Sequence, residues 1–93
     1  MIQSFASSET ELLWSRQRPK RMDHGIARVA LRKLAMLDAA GALADLSVPP
    51  GKRLEALKGD RAGQHSIRIN KQWRICFVWT PAGPQDVEIV DYH

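Results

Sequence analysis

Two arginines that face each other across a turn set the chemistry open to this chain. The stretch from His65 to Phe77 reads as two alternating strands joined by a polar turn, with Ile67 and Ile69 on one face of the first strand and Ile75 and Phe77 on one face of the second. A side-chain period of two sends Arg68 and Arg74 to the opposite face. A three-residue loop of Asn70, Lys71 and Gln72 pairs Ile69 with Trp73 and puts Arg68 opposite Arg74. Like charges directly opposed on a sheet are unfavourable, so the pair suits an anion held between them. The other reading is two solvated arginines on a wet face. Lys58 and Arg61 fall in the same half of the chain, where guanidinium groups can clamp a phosphate through bidentate contacts.

The second candidate is the last residue, His93, because histidine is the side chain whose ordinary pKa suits it to donate or accept a proton near neutral pH. A terminal histidine also reads as a frayed end. Asp91, Tyr92 and His93 follow directly on an apolar strand, which favours their being held. Parity groups Tyr92 with Glu88 and Val90, so Tyr92 either shares the arginine face or stacks on a base. The same parity puts His93 on the other side unless the last residue leaves strand geometry. Cys76 shares the arginine face and reads as an inert small residue. Trp73 and Trp79 take the core-facing parity with Phe77, and Trp14 reads as core. His24, His65 and His93 are too scattered for metal-ligand spacing, no Gly-rich loop opens a helix, and no cofactor is expected.

The totals allow one small domain, residues 1–93, so binding and chemistry share one surface. With 44% hydrophobic and 26% charged residues the composition is that of a soluble globular chain, not a disordered one. Fourteen Lys and Arg against 10 Asp and Glu give a net charge of +4, which suits a polyanionic partner without requiring one. A lone cysteine points to a reducing compartment. No apolar run approaches the ~20 residues of a membrane span, and the opening Met1 to Phe5 does not read as a signal peptide. A cytoplasmic protein without membrane contact is expected.

The elements that must position these residues come in a simple order. Ile2 to Phe5 reads as a short strand tied into a sheet. Ser8 and Glu11 form a capping box for a first helix over about residues 9–17, ended by Pro19. The basic link of Arg16, Arg18, Lys20 and Arg21 reads as a solvated loop before it reads as a nucleic-acid contact. Asp23 caps a second helix over about residues 25–40, with Ile26, Val29, Ala30, Leu34 and Leu37 turned to a core, Arg28, Arg32 and Lys33 turned away, and Gly41 as C-cap. Ala42 to Leu46 adds a helical turn before Pro49 and Pro50. Four strand segments follow, over Arg53 to Leu57, His65 to Ile69, Trp73 to Thr80 and Val87 to Val90, the last two separated by a turn over Pro81 to Pro84. Helices first and a strand meander after them predict an α+β fold, with an N-terminal strand and two helices packed on one face of a mainly antiparallel sheet of four to five strands. Arg68 and Arg74 then look out from the other face.

Taken together, Arg53-Leu54-Glu55-Ala56-Leu57-Lys58-Gly59-Asp60, His65-Ser66-Ile67-Arg68-Ile69-Asn70, Trp73-Arg74-Ile75-Cys76-Phe77 and Val87-Glu88-Ile89-Val90-Asp91-Tyr92-His93 resemble the HigB toxins of the RelE/ParE superfamily. The resemblance spans the chain and is most specific in its last forty or so residues. It implies a RelE-like fold, a bacterial type II toxin, and a cognate HigA-like antitoxin with a helix-turn-helix DNA-binding domain. It further implies a toxin, monomeric when free, that enters the ribosomal A site, cuts mRNA there without metal, and meets DNA only through its antitoxin. By the same resemblance Arg68 and Arg74 hold the phosphate, His93 transfers protons and Lys58 assists electrostatically. Asp91, Tyr92, Arg61 and Arg53 bind or orient the substrate. Several relatives carry a histidine where this chain has Glu55. Two other functions compete: a ParE-like inhibitor of DNA gyrase, and a non-catalytic module that only binds an antitoxin. The terminal Tyr-His and the Trp73-Arg74 pair favour the nuclease, because gyrase-directed relatives need no terminal acid-base residue.

Overall fold

A computed structural model of the protein describes residues 1–17, 22–47 and 54–91. Two helices lead, α1 over Ser8–Trp14 and α2 over His24–Ala39, followed by a 3-10 turn over Leu43–Ser47. Four strands then form one antiparallel meander in sequence order: β1 over Glu55–Ala56, β2 over His65–Arg68, β3 over Trp73–Thr80 and β4 over Gly83–Asp91. This is the α+β arrangement expected from a chain whose helices precede its strands.

Local chemistry shifts several boundaries. The N-cap of α1 is Ser7, one residue before the expected Ser8, and its Oγ accepts from the Thr10 backbone N–H. The helix stops at Trp14, short of residue 17: the Arg16 and Gln17 amides bond back to the Leu13 and Leu12 carbonyls, with Arg16 left-handed at φ 70°. That double C-terminal bond closes the helix by itself; Pro19 lies outside the described residues. Asp23 does cap α2, its Oδ1 accepting from the Ile26 N–H at 2.9 Å. At the other end the C-cap is Ala40, not Gly41. The Gly41 and Ala42 amides turn instead to Asp45 Oδ2, each at 3.0 Å.

The core lies between the helices and one face of the sheet. Ala30, Leu34 and Leu37 of α2 pack with Leu13, Met22 and Leu46 onto Ile67, Trp73, Ile75, Phe77, Val87 and Ile89. Ile26, Val29, Trp14 and Trp79 are only partly buried against it. Ile2 to Phe5 forms no full strand. The segment makes one parallel bridge, Phe5 to Val87, flanked by bonds from the Gln3 N–H to the Pro84 carbonyl and from the Val87 N–H to the Ser4 carbonyl. Beyond the bridge, Thr10 Oγ1 accepts the Ile89 N–H at 3.0 Å. The outer edge of β4 is thereby satisfied by the start of the chain, as an otherwise open sheet edge requires.

Candidate active site

The hairpin that carries the arginines has the register its alternation predicts. Ile67 pairs with Ile75 and Arg68 with Arg74, while Asn70 Oδ1 accepts the Gln72 and Trp73 amides, each at 2.8 Å, and so fixes the three-residue turn. Across the meander, two rows cross the face away from the helices: Glu55, Ser66, Cys76 and Glu88 in one, Arg68, Arg74 and Val90 in the next. That face is where the sequence placed its cations.

The two arginines reach different partners among the described residues. Arg74 is buried, and its Nε donates to Ser66 Oγ at 2.7 Å while Nη2 lies 3.0 Å from Glu55 Oε1. It therefore does not look out into solvent as expected: the hydroxyl of β2 and the carboxylate of β1 draw the guanidinium down across the sheet. Arg68 is partly exposed and turns the other way, its Nε donating to the Asn70 carbonyl at 3.0 Å. Opposite bearings relieve the repulsion that the register creates.

Arg61, at the end of a 3-10 turn over Gly59–Arg61, donates to Gln64 Oε1 at 3.0 Å and pairs with Glu88 at 3.3 Å. The Cys76 thiol sits among these groups and is buried. Burial raises its pKa, Glu88 adds to the rise, and Arg61 and Arg74 oppose it. A buried thiol held protonated is the inert residue that the sequence suggested. Lys58 is exposed directly before the 3-10 turn. Asp91 ends β4 opposite Trp73, where its Oδ2 accepts from the Gln72 side-chain amide at 3.0 Å. Arg53, Tyr92 and His93 lie outside the described residues. The chain thus gathers Arg74, Arg61 and Arg68 on one face, with Asp91 at the end of β4 beside the Arg68–Arg74 turn.

Sequence reasoning overlooked Ser66 and the pairing of Glu55 and Glu88 with the arginines. Ser66 lies two residues from Arg68 on the same strand, so parity alone put it on the arginine face, and a small hydroxyl among isoleucines was the available signal. The partnership of Glu55 with Arg74 needed the pairing of β1 with β2, which a two-residue strand does not announce.

Comparison with known proteins identifies the family. The family described as the RelE-like toxin of the type II toxin-antitoxin system HigB matches residues 4–93. Toxin HigB-1 of Vibrio cholerae serotype O1 is 46% identical over 63 residues, 68% of this chain and 66% of that protein. An uncharacterized protein of Haemophilus influenzae is 35% identical over 57 residues, 61% of this chain and 56% of that protein. The chain thus spans just under two thirds of one relative and just over half of the other. Because the family match runs from the segment that bridges β4 through both helices and the whole meander, the chain belongs to the RelE-like HigB toxins of type II toxin-antitoxin systems.

Proposed function

We propose that the protein is an endoribonuclease that cuts mRNA on the ribosome and so stops translation. Membership of a toxin-antitoxin system implies a cognate antitoxin; we take that partner to be a HigA-like helix-turn-helix protein and the toxin to act as a cytoplasmic monomer once released. The observation that carries the reading is Arg74, a buried guanidinium pinned by Ser66 on the polar face of the sheet. A fixed cation at the floor of a face is suited to charge that develops on a phosphate, because it needs no reorganisation when the charge appears.

The reaction uses the RNA's own 2′-hydroxyl. Its oxygen attacks the adjacent phosphorus, the bond from phosphorus to the 5′ oxygen breaks, a base takes the 2′ proton, and an acid returns a proton to the leaving 5′ oxygen. Arg74 and Arg68 hold the phosphate and Lys58 adds charge. His93 moves a proton, with Asp91 and Tyr92 orienting it or the substrate, and Arg61 and Arg53 bind the flanking message.

The test is a translating extract in which mRNA 5′ ends are mapped for the wild type, Arg74→Ala and His93→Ala. New ends inside codons are expected for the wild type. Loss of one transition-state donor should lower cutting by roughly a hundredfold or more in Arg74→Ala. Intact messages with loss of DNA supercoiling would move the reading to gyrase inhibition, and intact messages with a bound antitoxin as the sole activity would leave a binding module.

A further inference from the structure

Two of the three described arginines on this face already meet carboxylates at rest. Arg74 meets Glu55 and Arg61 meets Glu88, so a phosphate that reaches Arg74 encounters a guanidinium already facing a carboxylate. Two of the contacts of Arg74 are unequal. Ser66 is fully buried, and its 2.7 Å bond to Nε lies wholly inside the protein. The carboxylate comes from an edge strand of two residues, and the Glu55 side chain is 55% exposed against 9% for Arg74. Breaking a buried bond to a charged group strands both partners, whereas a half-exposed carboxylate returns to water at little cost.

We propose that Arg74 is an anion site with one fixed and one exchangeable side: Ser66 holds the guanidinium in place, and the Glu55 carboxylate is a resident stand-in for the phosphodiester, which displaces it. The inference rests on the phosphate-holding role given to Arg74 above. Carboxylate and phosphate oxygens offer a guanidinium the same acceptor geometry, so the exchange leaves the arginine paired throughout. Glu55 thereby sets how tightly an anion is held. It acts by vacating its place, and it takes no proton from the substrate.

The probe is a short single-stranded oligonucleotide carrying 2′-deoxy sugar at every position, which cannot be cut, titrated into the whole protein. Glu55→Gln keeps the size of the side chain and removes its charge. It should bind the probe roughly twofold to fivefold more tightly than the wild type, the range expected when a half-exposed ion pair ceases to compete. Glu11→Gln, an equal charge change on an exposed turn of α1, controls for the greater net charge and should gain less. In an Arg74→Gln background the Glu55→Gln gain should disappear, which isolates the pair from the rest of the field. Should Arg74→Gln not fold, judged by near-UV circular dichroism, the comparison of Glu55→Gln with Glu11→Gln decides alone.

Equal binding by those two variants overturns the proposal. So does weaker binding in Glu55→Gln, or a hundredfold loss of message cutting with binding unchanged, since either makes Glu55 a participant in substrate contact or proton transfer. The two readings fail separately. Tighter binding through Arg74 without message cutting would overturn the nuclease alone, and Arg74-dependent cutting with a silent Glu55→Gln would overturn the exchange alone.

Discussion

At the scale of single residues, Arg74 shows how little a charged side chain's strand parity says about its exposure. Parity put it on the polar face correctly, yet the side chain lies down across β2 to reach Ser66 and Glu55. The energetics assign the larger share to Ser66. Ser66→Ala removes a hydrogen-bond acceptor from a buried charged donor and should cost about 1.5–3 kcal/mol of folding stability by urea denaturation. The Glu55 pair is worth less than about 1 kcal/mol at its exposure, so Glu55→Gln should leave the urea midpoint nearly unchanged. Equal losses in the two variants would contradict this ranking. Cys76 offers a second check with a definite sign. Its pKa is raised mainly by burial, so the folded state holds the thiol proton at pH values where the unfolded chain has begun to release it. The resulting stabilisation is full below the unfolded thiol's pKa and declines as pH rises through the folded one. Alkylation of the native protein by iodoacetamide should therefore be much slower than that of the urea-unfolded chain at mildly alkaline pH, and should quicken as pH climbs further.

At the scale of elements, the pattern of alternation and capping was legible wherever the signal was local. Asp23 before α2, the three-residue turn and the extent of β3 all follow from residues within a few positions of one another. What stayed hidden was decided by partners far along the chain. The opening residues look like a strand because they alternate, but β4 leaves them only one ladder bridge, where a bulge between Cys76 and Val78 bends the edge and puts Asp86 at φ 53°. Ser7 displaces Ser8 as the cap because Thr10 must present its hydroxyl both to Ser7 Oγ and to the Ile89 N–H. Thr10→Val tests that join between helix and sheet. It keeps the shape, deletes the hydroxyl and leaves a buried amide unpaired, so about 1–3 kcal/mol of stability should be lost. Gly83 is a second join. It holds φ +133°, and an added Cβ would run into the Met1 carbonyl oxygen. Gly83→Ala must move the N-terminal segment off β4, and early loss of amide-exchange protection at Val87 is the expected signature.

At the scale of the whole molecule, the charge of +4 is unevenly placed, and that has a measurable consequence. Between His24 and Leu37, α2 carries Arg28, Arg32 and Lys33 with no carboxylate. On the sheet's polar face two of the arginines meet Glu55 and Glu88. A protein that bound RNA by net charge alone would use the helices and show a steep salt dependence. One that binds through the sheet face engages few phosphates, chiefly through Arg74, Arg68 and Lys58. Taking about three contacts at ~0.7 per phosphate on a single strand, the slope of log affinity against log salt should be near −2. The measurement is fluorescence anisotropy of an uncleavable oligonucleotide across a potassium chloride series. Arg68→Gln should flatten the slope by roughly 0.7, whereas Arg32→Gln on α2 should leave it unchanged. A response to Arg32 equal to that of Arg68 would place the RNA on the helices, and the sheet face would then need another explanation for its buried arginine.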